Sequence, residues 1–205
     1  MLKRLCAVYV VGWAVSACGQ LPQPPIAMPM YTGEETLAPY GYVEFCQRHA
    51  DDCVTSDKPT RKLTLSAKRW KQLQDVNAAV NAAVAPITDQ DLYDKVEYWT
   101  YPTAQGDCED YVLEKRKRLI AQGWPAQSLL ISVALDSSAG AHAVLIAMTD
   151  RGDFVLDNQT TDILPWHDTP YVWDKRQSIQ DPMVWVSLEG ATGNPDLTSA
   201  SFSGE

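Results

Sequence analysis

Cys108 lies in the stretch QGDCEDYVLE, residues 105–114, where a glycine turn gives way to what reads as the start of a helix. Only a thiolate attacks a carbonyl carbon well, and a free thiol ionises near pH ~8.5. The free N–H groups and dipole of a helix N-terminus lower that value, and Gly106 allows a substrate backbone to come close. A neighbouring imidazole would complete the activation by forming a thiolate–imidazolium pair. Of the three histidines, His49 lies between Cys46 and Cys53, His167 sits in LPWHDTP, and His142 opens the alternating segment HAVLIAM. His142 is the best placed of the three to act as a base. Asp157, in the VLDN of the next strand-like segment, suits the task of holding the imidazole in its useful tautomer and stabilising its cation. The chemistry such a set would suit is acyl transfer through a thioester. Its oxyanion needs donors, for which the Cys108 backbone N–H and either Gln105 or Trp99 are the candidates.

Two features of this set need an explanation. Asp107, Glu109 and Asp110 crowd the cysteine. Acidic residues suit a first helical turn, yet they oppose thiolate formation. A bound calcium ion would reverse that balance, because it prefers carboxylate oxygens and brings two positive charges. The second feature is register. A tight turn at Arg151 and Gly152 sets His142 opposite Thr161, so contact with Asp157 requires a longer turn, a bulge or a diagonal approach.

The elements that must position these residues are legible in part. In TLSAKRWKQLQDVNAAVNAAVAPITD, the residues Trp70, Leu73, Val76 or Asn77, Val80 and Val84 recur at helical spacing. Ser66 or Thr64 is available as its N-cap and Pro86 marks its end. A second helix is predicted from about 107 to 122, closed by Gly123 as a left-handed C-cap. The period then changes. SLLISVALD, GAHAVLIAMTD, DFVLDNQT and PMVWVSLEG read as strands, with TDRGD as a turn. Helices first and antiparallel strands after define an α+β fold.

The ends of the chain read differently. MLKRLCAVYVVGWAVSACGQ has a basic start and an apolar run too short to span a bilayer. Residues 1–17 fit a signal peptide, and Val15-Ser16-Ala17-Cys18 resembles a lipoprotein lipobox. That resemblance implies a lipidated Cys18, attachment to the membrane through it and, with Gly19 following, an outer-membrane destination from the periplasm. An ordinary signal with an incidental Cys18 is the alternative. Residues 18–40 are proline-rich and read as a tether, residues 41–190 as the folded domain, and residues 191–205 as a disordered tail. The formal net charge is −9 and loses Lys3 and Arg4 with the signal, so nucleic acid is excluded as a partner. Cys46 and Cys53 are close enough in sequence for a disulfide in an oxidising compartment; two separate thiols, or a metal pair with His49, are the alternatives.

GDCEDYVLEKRKRLIAQG, HAVLIAMTDRGDFVLDNQT and the upstream VNAAVN together resemble the bacterial transglutaminase-like cysteine proteinases, the LapG-type periplasmic proteases. The resemblance spans roughly residues 40–190. It implies a transglutaminase-like variant of the papain fold, with Cys108 as nucleophile, His142 as general base and acid, and Asp157 as the orienting acid. It further implies a calcium ion bound by Asp107 and Glu109. The implied substrate is a surface adhesin cut within an Ala-Ala-containing site, and the implied partner an inner-membrane regulatory receptor. Amide transfer to an amine and a non-catalytic, lipid-anchored binding protein stay open, although the intact Cys, His and Asp argue against the latter.

Overall fold

The computed structural model describes residues 24–55, 63–137 and 140–188. The expected signal peptide, Cys18 and the C-terminal tail lie outside the described residues. Four helices, α1 (Tyr40–Arg48), α2 (Ala67–Ala83), α3 (Asp89–Tyr93) and α4 (Cys108–Ala121), precede the main run of strands. The strands are β1 (Glu35–Thr36), β2 (Ala85–Pro86), β3 (Gln105–Gly106), β4 (Leu129–Asp136), β5 (Gly140–Thr149), β6 (Gly152–Leu156), β7 (Leu164–Pro165), β8 (Val172–Gln177) and β9 (Trp185–Ser187). Seven of them form an antiparallel sheet in the order β1-β9-β8-β4-β5-β6-β7, while β2 and β3 make a small parallel pair. The fold is α+β and transglutaminase-like.

Local signals set the helices. Ser66 caps α2, its Oγ accepting from Arg69 N at 3.3 Å. Leu73, Val76, Asn77 and Val80 form its buried face, and Trp70 packs edge-on against Phe154. The end of α4 is closed by Gly123 in the left-handed region (φ 88°), with Gly123 N donating to Ile120 O and Trp124 N to Leu119 O. Helix α4 packs between α2 and β5. One apolar layer, including Val112, Leu119, Leu145 and Phe154, fills the helix side of the sheet. A second layer, including Val144, Ile146, Trp166 and Trp173, fills the opposite side. Strand β5 is therefore buried on both faces.

The sequence reading assigns neither α1 and α3 nor the two-residue strands, and two further parts differ from it. Strand β8 is the first. It carries Asp174, Lys175 and Arg176 and lies between β4 and β9, with a register shift at Val133 and Ala134. Its charges hide a strand whose burial comes from its neighbours. Within the proline-rich stretch expected to be a tether, the described part is extended but docked on the sheet. Ala27 N donates to Arg151 O, Met30 N to Asp153 Oδ2, Trp166 Nε1 to Met28 O, and Gly33 N to Ser187 O. Gly152 (φ 104°) makes this close approach possible, because a side chain there would collide with the Ala27 carbonyl. Extended chain without periodicity gives no local sign of what it will cover.

Cys46 and Cys53 are joined by a disulfide. His49, between them, stacks on Phe45 and meets Tyr101 edge-on, so the metal-pair and separate-thiol alternatives for this loop are not what the structure adopts.

Candidate active site

Strands β5 and β6 turn at Asp150 and Arg151, so that Thr149 faces Gly152 and Leu145 faces Leu156. Extended past the end of β6, this register sets position 159 across from His142, rather than Thr161. The chain leaves the sheet after Leu156, and Asp157 reaches His142 from the diagonal position on the same face. His142 Nε2 lies 2.9 Å from Asp157 Oδ1, and both side chains are buried. Oδ1 also accepts from Gln159 N at 3.0 Å. The Tyr171 hydroxyl donates a short hydrogen bond to Oδ2, and its ring lies tilted against the imidazole with centroids 5.4 Å apart. Burial pushes the Asp157 carboxyl upward, but the bonds from His142, Gln159 N–H and Tyr171 outweigh it and hold the acid below its usual range. Because Asp157 occupies Nε2, Nδ1 is the ring atom left to exchange a proton with a reacting group.

Cys108 opens α4, with Asp107 at the N-cap position. The N–H of Ala143, next to His142 on β5, points at Cys108 Sγ across 3.4 Å. This contact locks the helix start against the strand that carries the imidazole. Cys108 and His142 line one cleft of about 300 Å³, walled by Trp99, Glu97, Val133 and Lys175. The two side-chain donors expected for an oxyanion fare differently. Trp99 lines the cleft, but its Nε1–H is committed to Glu97 Oε2 at 2.8 Å. Gln105 is exposed on β3, outside the cleft lining. The Cys108 main-chain N–H, at a helix start, is the remaining candidate donor.

The acidic residues gather beside the sulfur. The Cys108 thiol donates to Glu109 Oε2 at 3.0 Å. Asp89, which the sequence reading passed over, joins Asp107 and Glu109, and one oxygen from each lies within 4.8 Å of the others. Asp89 is brought in by α3, whose Thr88 cap makes it look like an ordinary first-turn acid. Its N–H donates to Asp107 Oδ2 at 3.2 Å, and its own Oδ2 accepts from Tyr98 N. Asp110 instead supports the backbone, accepting from Thr100 N at 2.8 Å. Burial first, and then the Asp107 charge, pushes Glu109 up to about 9; burial and then Asp89 push Asp107 up to about 6. Burial, followed by Glu109, raises the Cys108 thiol well above its usual value. Asp107 Oδ1 is buried and has no hydrogen-bond partner among the described residues. Three converging carboxylates, with Asp89 raising Asp107 and Asp107 raising Glu109 and one buried oxygen orphaned, fit a hard divalent cation of the calcium type.

A helix-borne thiol set against a sheet-borne histidine and an acid in the turn beyond the next strand defines a cysteine peptidase of the transglutaminase-like class. The family described as bacterial transglutaminase-like cysteine proteinase matches residues 32–193, and the chain belongs to it. Among solved structures, calcium-bound LapG of Legionella pneumophila is similar at 26% identity and a TM-score of 0.50, covering 57% of this chain and 68% of that one. A second structure of the Legionella pneumophila protein shows 27% identity, a TM-score of 0.49 and coverage of 57% and 68%. An EGTA-treated form shows 26%, 0.49, and 58% and 67%. No curated protein matches the chain.

Proposed function

We propose that this cysteine peptidase is an endopeptidase of the cell envelope that works through Cys108, His142 and Asp157. Cys108 Sγ attacks the scissile carbonyl carbon as its proton passes to His142 Nδ1. Asp157 holds the Nε2–H and stabilises the imidazolium. The Cys108 N–H supports the oxyanion. His142 then gives its proton to the departing amine, leaving a thioester, which water cleaves with His142 again taking the proton. The observation that carries this reading is the pair of contacts on one strand: Ala143 N–H to the sulfur and His142 Nε2 to Asp157.

Asp107 and Glu109, joined by Asp89, would hold calcium. When bound, it supplies positive charge that offsets the carboxylates around the thiolate. The calcium-bound state of the similar Legionella pneumophila LapG supports this reading. We place the enzyme in the periplasm, anchored to the outer membrane through Cys18, acting on a surface protein of the adhesin type and answering to an inner-membrane receptor.

The test is cleavage of candidate surface proteins by the mature protein and by its Cys108→Ala variant, with calcium and with chelator. Cleavage by the parent alone, lost in chelator, is the expected result. Equal behaviour of the two proteins overturns the protease reading, cleavage that persists in chelator removes the calcium role, and transfer of the acyl group to an added amine in place of cleavage redirects it to amide transfer.

A further inference from the structure

Lys115 is fully buried, and its Nζ has no hydrogen-bond partner among the described residues. It lies 5.8 Å from the centroid of the Tyr111 ring, at the outer reach of a cation–π contact, but buried ammonium groups without hydrogen-bond partners are costly, so this one calls for an explanation.

Its position can be fixed from α2 and α4, which pack together. At one end the Tyr111 hydroxyl bonds the Val84 carbonyl, and at the other Trp124 Nε1 bonds Gln72 Oε1 at 3.2 Å. The helices therefore run antiparallel. Lys115, one turn beyond Tyr111, lies level with Val80 and Asn81, one turn before Val84. Asn77 and Asn81, the two asparagines of VNAAVN, both reach beneath the turn that follows β6. Asn81 Nδ2 donates to Asp157 O at 2.8 Å and Thr160 O at 3.0 Å; Asn77 Nδ2 donates to Thr160 O at 3.0 Å. The side-chain oxygens of both asparagines are buried without a partner, like the lysine nitrogen. Orphaned acceptors on α2 and an orphaned donor at the same level of α4 are the setting in which buried water bridges polar groups.

We propose that Lys115 is a positioning residue: through internal water its ammonium group joins the side-chain oxygens of Asn77 and Asn81, and this buried mount fixes the 157–161 turn from which Asp157 reaches His142. The inference rests on the role given to Asp157 above. Burial pushes the Lys115 ammonium down to about 7, while the neighbouring Asp157 charge pulls the other way, so the two side chains lie within electrostatic reach.

The test uses the full chain with Lys115→Met, which keeps the volume and removes the charge. Proton NMR follows His142 Nε2–H and the Gln159 amide, both donors to Asp157. Solvent exchange at these two protons is expected to rise about ten-fold, while the melting temperature holds or rises, since an apolar replacement of a buried charge is tolerated. Exchange unchanged at both protons in a folded variant overturns the proposal. So does a rise spread evenly over the β5 amides, which marks a merely structural role. Should the variant not fold, a crystal structure of the parent decides: ordered water linking Lys115 Nζ to Asn77 and Asn81 supports the mount, and a dry ammonium overturns it. None of these readouts involves bond cleavage, so failure of the protease reading is seen separately, in the Cys108→Ala assay.

Discussion

His142 and Asp157 meet on the diagonal, 2.9 Å apart between Nε2 and Oδ1, because β6 ends at Leu156 and releases the acid from the ladder just short of the position facing the imidazole. An acid within the ladder is fixed by sheet register alone. This one is held by the Gln159 N–H of its own turn and by the Tyr171 hydroxyl from the segment before β8.

Asp157→Asn keeps the shape but removes the charge and turns one of the two accepting oxygens into an NH2 donor, so the tautomer of His142 is no longer selected. Peptidase kcat is expected to fall on the order of 10⁴-fold. The folded pKa of Asp157 is depressed, so its carboxylate contributes stability above the unfolded value near ~4, lost as pH falls through the folded value. Melting curves of the variant below about pH 4 should therefore flatten relative to the parent. An unchanged acid limb counts against the assignment.

Tyr171→Phe leaves Asp157 Oδ2 without its hydroxyl donor. Loss of a hydrogen bond to a charged group costs about 1.5–3 kcal/mol. A lower midpoint in urea and a fall in kcat with little change in KM are expected. Wild-type kcat in the variant would show that the hydroxyl is idle.

The acidic cluster carries a pH signature. The folded pKa values of Glu109, Asp110 and Asp107 are raised to about 9, 8 and 6. At these three groups the folded state thus binds more protons than the unfolded chain, so their contribution to stability is full below pH ~4 and is lost as pH rises through those values. In chelator, the melting temperature should fall steadily from about pH 5 to 9. Calcium should raise it and flatten the slope, because ligand that binds only the folded state adds stability. Coincident curves with and without calcium, read by scanning fluorimetry, would count against ion binding here.

Gly152→Ala strains a positive φ and drives a methyl into the Ala27 carbonyl. A loss of at least about 1 kcal/mol is expected, together with faster limited proteolysis at residues 24–33. Parental resistance at that segment would show that its docking does not depend on Gly152.

What the sequence determined is what short stretches encode. The glycine, cysteine and acids at 106–110 specify a helix start and the stripe from Leu73 to Val80 a buried face, while the spacing of Cys46 and Cys53 allowed a bridge that the structure adopts. Each depends on residues a few positions apart, where capping, periodicity and reach operate. Only the tertiary structure decided which residues meet across the chain. The length of the turn at Asp150 and Arg151 set the register of His142, and a shift of one residue would have turned its neighbours to the other face. Burial by β4 and β9 made a strand of the charged β8, and the sheet's back face ordered the segment before β1. Folding alone carried Asp89 to Asp107 and Glu109, and set Lys115 level with Asn81, which donates to the Asp157 carbonyl. Such encounters arise from packing between distant segments, and no local pattern records them.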